Sequence, residues 1–186
     1  MREKLSGQRI TLERPAPDMQ TAQTVYAAID NSRDVFALWL DFVRNTRKPE
    51  DTLNFLKEAD KGWKTGEQFV YAVYHRGTFA GLISAINISR PHKRAEIGYW
   101  QDVASSGRGL MTEAVSVLEK ELFADGFNRI VIQTDVLNVR SAAVARRCGY
   151  VHEGVLRQER YSETRGRFRD TNVFSKLRSD LKDGEK

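Results

Sequence analysis

The hydrophobic pattern of this chain changes period several times, and each change marks an element. Gln8–Arg14 alternates, with Ile10 and Leu12 on one face and Thr11 and Glu13 on the other, which predicts a half-buried strand. Pro15 and Pro17 stop it and prepare a helix start. Over residues 18–30, Met19, Ala22, Val25, Tyr26 and Ile29 recur at helical spacing. Asp30-Asn31-Ser32 is a break and a candidate N-cap for a second helix over 33–43, rich in Phe36, Leu38, Trp39, Leu40, Phe42 and Val43. A third helix starts at Pro49, with Glu50 and Asp51 in its first turn, runs to Lys64 and ends at Gly66.

From there the period falls to two. Gln68–His75 and Thr78–Ser89 predict a hairpin turning at Arg76-Gly77, and Arg94–Trp100 follows as a further strand. Gly107–Phe123 reads as loop, then helix, with Met111, Ala114, Val115, Leu118 and Leu122 on the inward stripe. Arg129–Val136 is a buried strand, Asn138–Arg147 a short helix ended by Gly149, and Tyr150–Arg157 and Phe168–Leu177 are two more strands. Lys182–Lys186 is a charged tail expected to fray. This order implies one mixed α/β domain, an antiparallel hairpin region leading into a βαβ crossover.

Composition alters the picture only slightly. The 186 residues, 40% hydrophobic and 30% charged, suit a globular domain with a real core. The net charge of +5 concentrates at Arg140–Arg147 and Arg157–Arg169, which fits an anionic cofactor, nucleic acid, an acidic partner or a solvated surface. One cysteine, Cys148, excludes an internal disulfide and points to a reducing compartment. His75, His92 and His152 are scattered, so no metal site is expected. The N-terminal residues lack the apolar region of a signal peptide, and no apolar run spans a membrane, so a cytoplasmic location is expected.

The chemistry concentrates in Glu96–Glu121. A short strand leads into Ser105-Ser106-Gly107-Arg108-Gly109 and then into a long helix. Two glycines permit backbone angles closed to other residues, and a helix start directs unpaired N–H groups and a positive dipole end outward. Residues 105–112 are therefore a candidate diphosphate site.

These residues also resemble a known family. IGYWQDVASSGRGLMTEAV is similar to the acyl-CoA-binding core of the GNAT superfamily (Gcn5-related N-acetyltransferases). NVRSAAVARRCGYVHEGVLRQERY followed by FRDTNVFSKL resembles its RimJ/RimL branch, which acetylates the N-termini of ribosomal proteins. The resemblance implies a single GNAT domain over residues 1–186, a mixed, mostly antiparallel sheet flanked by helices. It also implies direct transfer from acetyl-CoA to a primary amine, foremost a protein N-terminus. A small-molecule amine is the alternative acceptor. A basic nucleic-acid or ribosome-binding module is the alternative of another class, disfavoured because no aromatic-basic stacking motif is present. A homodimer is compatible with the sequence.

The resemblance also assigns roles. Tyr99, Trp100 and Gln101 would run beside the pantetheine arm, and the amides of Gly107–Met111 would hold the pyrophosphate, with Ser106, Arg108, Leu110 and Thr112 completing the site. Ser106 and Met111 stand where the superfamily carries Gln or Arg and Gly or Ala. Asn138 is an N-cap, a ligand of pantetheine, or both. Ser141 is an ordinary first-turn serine or the proton donor to the departing thiolate. Arg146 and Arg147 meet CoA phosphates or solvent. Glu96 is the first candidate base, or else a partner for Arg94 or Arg129; Glu159 and Tyr161 are the second candidates. The RimL-like pattern has glutamate immediately before the tyrosine, where this chain has Arg160. Phe36, Trp39, Phe42, Tyr99, Trp100 and Tyr161 serve either core packing or an acceptor wall, with Trp39 and Tyr161 expected near the substrate.

Overall fold

The computed structural model describes residues 1–181, so the tail Lys182–Lys186 lies outside the described residues. Two strands come first, β1 (Lys4–Ser6) and β2 (Ile10–Glu13). The helical section holds α1 (Met19–Asn31), α2 (Arg33–Phe36), a 3-10 turn at Asp41–Arg44 and α3 (Pro49–Thr65). After it come β3 (Phe69–His75), β4 (Thr78–Ser89), β5 (Arg94–Gln101), α4 (Leu110–Ala124) and β6 (Arg129–Asp135). The described chain closes with α5 (Val139–Arg147), β7 (Val151–Ser162) and β8 (Arg167–Leu177).

The strands form one sheet in the order β1-β2-β3-β4-β5-β6-β8-β7. All neighbours are antiparallel except β5 and β6, which α4 joins by the expected crossover. The hairpin turn at Arg76-Gly77 has positive φ at both residues, 50° and 77°, the backbone of a tight two-residue turn.

Each face of the sheet carries a core. On one, Leu110, Ala114, Leu118 and Leu122 of α4 and Ala142 and Ala145 of α5 pack on Ile83, Ile97, Ile130, Ile132 and Phe174. On the other, Val25 and Ile29 of α1, Phe36 of α2 and Ala59 of α3 pack on Val70, Ala72, Phe79 and Leu82. Alternation along β5 sends Ala95, Ile97 and Tyr99 to the α4 face and Glu96 and Trp100 to the α1 face.

Two expectations need correction. β1 is absent from the sequence reading because Lys4, Leu5 and Ser6 offer too short an alternation to register; pairing with β2 makes it a strand. The helix expected over 33–43 breaks instead between Phe36 and Asp41. Its apolar residues have two destinations, since Phe36 and Val43 are buried while Leu38 and Phe42 stay exposed. Ser32 precedes α2 without capping it through its side chain. Its Oγ instead donates to Asp102 Oδ1 at 3.2 Å and accepts from the Val103 amide at 3.1 Å, tying the end of α1 to the end of β5.

Candidate active site

The decisive feature of the sheet is a split. β5 pairs with β6 only over Arg94–Glu96, opposite Arg129–Val131, although β5 runs on to Gln101 and β6 to Asp135. Beyond Glu96 the two strands part. They leave a wedge-shaped cleft edged on the β5 side by the backbone of Ile97–Gln101, which has no strand neighbour there among the described residues.

The glycine loop lies just past the open end of β5. A short 3-10 turn at Val103–Ser105 is capped by Asp102, whose Oδ1 accepts from the Ala104 amide, and Gln101 Nε2 donates to Ser105 O at 2.7 Å. Gly107 and Gly109 both take left-handed backbone angles, φ 79° and 72°. At Gly107 an added Cβ would meet nothing within 4 Å, so the glycine is required by conformation and not by space. The first closed helical bond of α4 runs from the Glu113 amide to Gly109 O at 3.1 Å. The amides of residues 107–112 have no acceptor among the described residues, and they stand at the positive end of a 15-residue helix. That is a fitting cradle for a diphosphate, because each N–H gains a partner and the dipole opposes the charge.

Side chains brace this cradle from two sides, and the sequence signalled neither brace. Arg9, before β2, donates from Nη1 to the Arg108 carbonyl at 2.9 Å, while its Nε and amide bond the Glu113 carboxylate at 2.8 and 2.7 Å. From α5, Arg147 Nε donates to Thr112 Oγ1 at 3.2 Å. Of the two arginines weighed for phosphate contact, Arg147 reaches the loop–helix junction, whereas the Arg146 guanidinium lies 5.4 Å from the Phe174 ring centre. Ser106 and Arg108 are exposed; Ser106 Oγ donates back to Asp102 O at 3.3 Å.

Tyr99 crosses from β5 to α5. Its hydroxyl lies 3.0 Å from both the carbonyl oxygen and Oγ of Ser141, so the sequence candidates Tyr99 and Ser141 form one hydrogen-bonded unit. Burial pushes the Tyr99 phenol up to about 12, so it remains a proton donor at neutral pH. Asn138 caps α5 as expected, its Oδ1 accepting from the Ser141 amide at 3.1 Å. Its Nδ2 has no partner among the described residues, which leaves a donor for a second role. Burial also pushes the Cys148 thiol up to about 11 and its Sγ faces Thr112 O, so it is a protonated, packed group.

Glu96 occupies the apex of the cleft on the face opposite Tyr99, where Asn87 Nδ2 donates to its Oε2 at 3.0 Å. It does not pair with Arg129, which is bound to Glu153 through Nη1 at 2.6 Å. Trp100 packs edge-on against Phe36, ring centres 5.2 Å apart, so both serve the core. Glu159 and Tyr161 lie on β7, where register slips between Leu156 and Arg160 and Gln158 has φ 54°. Both are exposed; Tyr161 meets Phe168 edge-on with ring centres 5.2 Å apart, and neither hydrogen-bonds to Tyr99, Ser141 or Glu96. Arg160, in the position of the branch's glutamate, donates to Gln133 on β6 at 3.2 Å.

The family description "Acetyltransferase (GNAT) domain" matches residues 9–151. This chain belongs to the GNAT acetyltransferase family. Within the family it is 29% identical over 140 residues to the ribosomal-protein-serine acetyltransferase of Escherichia coli (strain K12), a match covering 75% of each chain. The structure of the microcin C7 self-immunity acetyltransferase MccE, in complex with acetyl-CoA and AMP, superposes with a TM-score of 0.86 at 28% identity, covering 91% of this chain and 93% of that one. RimL, the ribosomal L7/L12 α-N-protein acetyltransferase in complex with coenzyme A, superposes with a TM-score of 0.88 at 25% identity, covering 96% and 100%. The GNAT chain shares the fold of both, its own described residues forming an eight-stranded mixed sheet with flanking helices, and none of its described helices is long and apolar enough to cross a membrane.

Proposed function

We propose that this GNAT domain, residues 1–186 acting as one unit, transfers acetyl from acetyl-CoA to the N-terminal α-amine of a protein, with a ribosomal protein in the cytoplasm as the favoured acceptor. The observation that carries the reading is the split between β5 and β6, with unpaired amides 107–112 at its mouth and the Tyr99–Ser141 pair on one wall. The similarity to ribosomal-protein acetyltransferases supports the acceptor class.

Acetyl-CoA supplies the activated acetyl group, and the chain's part is to hold, orient and handle protons. The amides of Gly107–Thr112 suit its diphosphate, and the open backbone edge at Tyr99–Gln101 and Asn138 Nδ2 suit the amide-bearing arm. A backbone N–H in the unpaired edge can hold negative charge developing on the thioester oxygen. The amine attacks the acetyl carbon directly: a C–N bond forms, the C–S bond breaks, and the sulfur departs as a thiolate. In this reading Ser141 returns a proton to that sulfur, a role its hydrogen bond to the protonated Tyr99 supports. The buried, protonated Cys148 supports direct attack, since it is a poor nucleophile.

The amine loses its proton on the other face, where Glu96 is the favoured base, acting directly or through water. An α-amine with pKa about 7.7–8.0 is roughly one-third neutral near pH 7.5, whereas a lysine near 10.4 is about 0.1% neutral. An N-terminal acceptor therefore asks little of this base. Glu159 and Tyr161 remain second candidates, on the β7 edge. The test is CoA release with peptides beginning in Ser or Ala, against the same peptides blocked at the α-amine. No turnover with any free α-amine would overturn the proposal.

A small-molecule amine is the second reading, supported by the similarity to MccE, and a panel of aminoacyl conjugates and polyamines separates it from the first. A nucleic-acid-binding role predicts a gel shift indifferent to CoA. A homodimer is decided by light scattering of the purified chain.

A further inference from the structure

The segment that broke the expected second helix spans the cleft. Phe36 lands on Trp100 of β5, while Trp39 and Asp41 land on the far arm of the sheet. There Arg169 of β8 donates from Nη1 to the Trp39 carbonyl at 3.3 Å and from Nη2 to Asp41 Oδ2 at 3.1 Å. The Arg165 guanidinium sits 4.7 Å from the Trp39 ring centre. Both arginines also reach Asp135 Oδ2, at 3.4 Å from Arg165 and 3.7 Å from Arg169. Asp135 ends β6, and its backbone carbonyl accepts from the Asn138 amide at 2.9 Å. The segment's own curl is held by Arg33, which donates to Val43 O at 2.7 Å and Thr46 O at 2.8 Å. Phe36–Arg44 thus bridges the two diverging arms of the sheet, on the face that carries Glu96 and opposite the Tyr99–Ser141 pair.

We propose that Phe36–Arg44 is a strap across the acceptor side of the cleft, and that Arg169 is the positioning residue that latches it. This rests on the acetyl-transfer reading above. Two arginines and two aspartates make the latch charge-neutral, and the Arg169 side chain is only 8% exposed, so its charge depends on these partners. The contacts to Asp135 are long, Asp41 is 40% exposed, and Arg169 Nε is buried without a hydrogen-bond partner among the described residues. Such a latch closes without locking, as a strap that admits a peptide and then shapes its path requires. The strap presents Leu38 and Phe42 outward, 46% and 41% exposed, as an apolar lip over which the residues behind the amine would pass. Among the described residues no hydrogen bond or ion pair joins it to the glycine loop or the α4 start, so loosening it should spare the acetyl donor.

The test compares wild type with Arg169→Gln and Asp41→Asn, the latter removing only the exposed end of the latch. In Arg169→Gln, amides of residues 36–44 should exchange hydrogen about tenfold faster while β6 and β8 amides keep their protection. If the competent strap is then populated one-tenth as often, kcat/KM for a Ser-starting peptide falls about tenfold through acceptor KM. The acetyl-CoA dissociation constant, read by calorimetry, should stay within about twofold. Arg169→Lys, which keeps the charge but loses the fork, should recover part of the loss. Unchanged exchange in the strap, or acetyl-CoA affinity falling in step with acceptor KM, would overturn the latch. If Arg169→Gln does not fold, Asp41→Asn carries the same two readouts. Absence of acetyl transfer to every amine would instead sink the acetyl-transfer reading, and the exchange data would still decide the latch.

Discussion

Replacing Gly109 with alanine isolates what the backbone contributes to donor binding. Gly109 has φ 72°, and an alanine Cβ there would come 3.6 Å from Arg9 Nη2, an ordinary contact with the end of a flexible side chain. Crowding is therefore minor, and the cost is the left-handed backbone itself, about 1–2 kcal/mol for a residue with a Cβ. That strain can stay, lowering stability, or relax by moving the loop. Leu110 and Met111 anchor the start of α4 in the core, 1% and 4% exposed, whereas Gly107–Gly109 are exposed. The loop is thus the softer side, and it should move, turning its amides away from their shared target. Calorimetric titration should then show acetyl-CoA binding weakened by roughly five- to thirtyfold, the equivalent of 1–2 kcal/mol. Thermal unfolding should shift by less than about 2 °C, below the roughly 2–8 °C that a fully retained strain of about 1–2 kcal/mol would cost a chain of this size. Gly109→Asn, whose side chain tolerates this backbone region, should recover most of the affinity. An alanine variant that binds as wild type, or an asparagine variant as weak as alanine, would refute the view that the loop acts through its backbone.

Other consequences follow from single contacts. Ser141→Ala and Tyr99→Phe should each lower kcat by about 10²-fold, with donor affinity kept, and the double variant should lose no more than the worse single one, because the two hydroxyls act as one unit. With the Tyr99 phenol pushed up to about 12, log kcat/KM for an α-amine should rise from pH 6 to 8 and level off, with no fall due to the phenol below about pH 10; a fall that Tyr99→Phe abolishes would count against this. Arg9→Met, which removes the brace on the Arg108 carbonyl, should raise the KM for acetyl-CoA by about tenfold and leave acceptor KM alone in initial-rate assays. Arg129 and then Ser175 hold the Glu153 carboxyl down to about 2. This depressed group stabilises the fold above its unfolded value and loses that contribution as pH falls toward 2; being over a third exposed, it is worth about 1 kcal/mol or less. The stability gap between wild type and Glu153→Gln, measured by urea unfolding, should therefore shrink from pH 6 to pH 2.

What the sequence determined by itself is what local chemistry determines. Period-two and helical apolar spacing gave the main strands and helices of the sheet, since a side chain's face depends only on its neighbours a few positions away. The glycines at 107 and 109 and the Asn138 cap were legible for the same reason: each is required by the backbone of its own turn. What only the tertiary structure decided are relations between distant residues. Arg9 and Arg108 lie 99 positions apart, and Arg169 and Asp41 lie 128 apart, so no local pattern could announce either pair. The parting of β5 from β6 is likewise invisible in either strand, because it consists of backbone bonds that are not made between them. Residues 33–43 failed as one helix for a related reason: their apolar side chains pack against both arms of a cleft, and a single helical face cannot serve two walls at once.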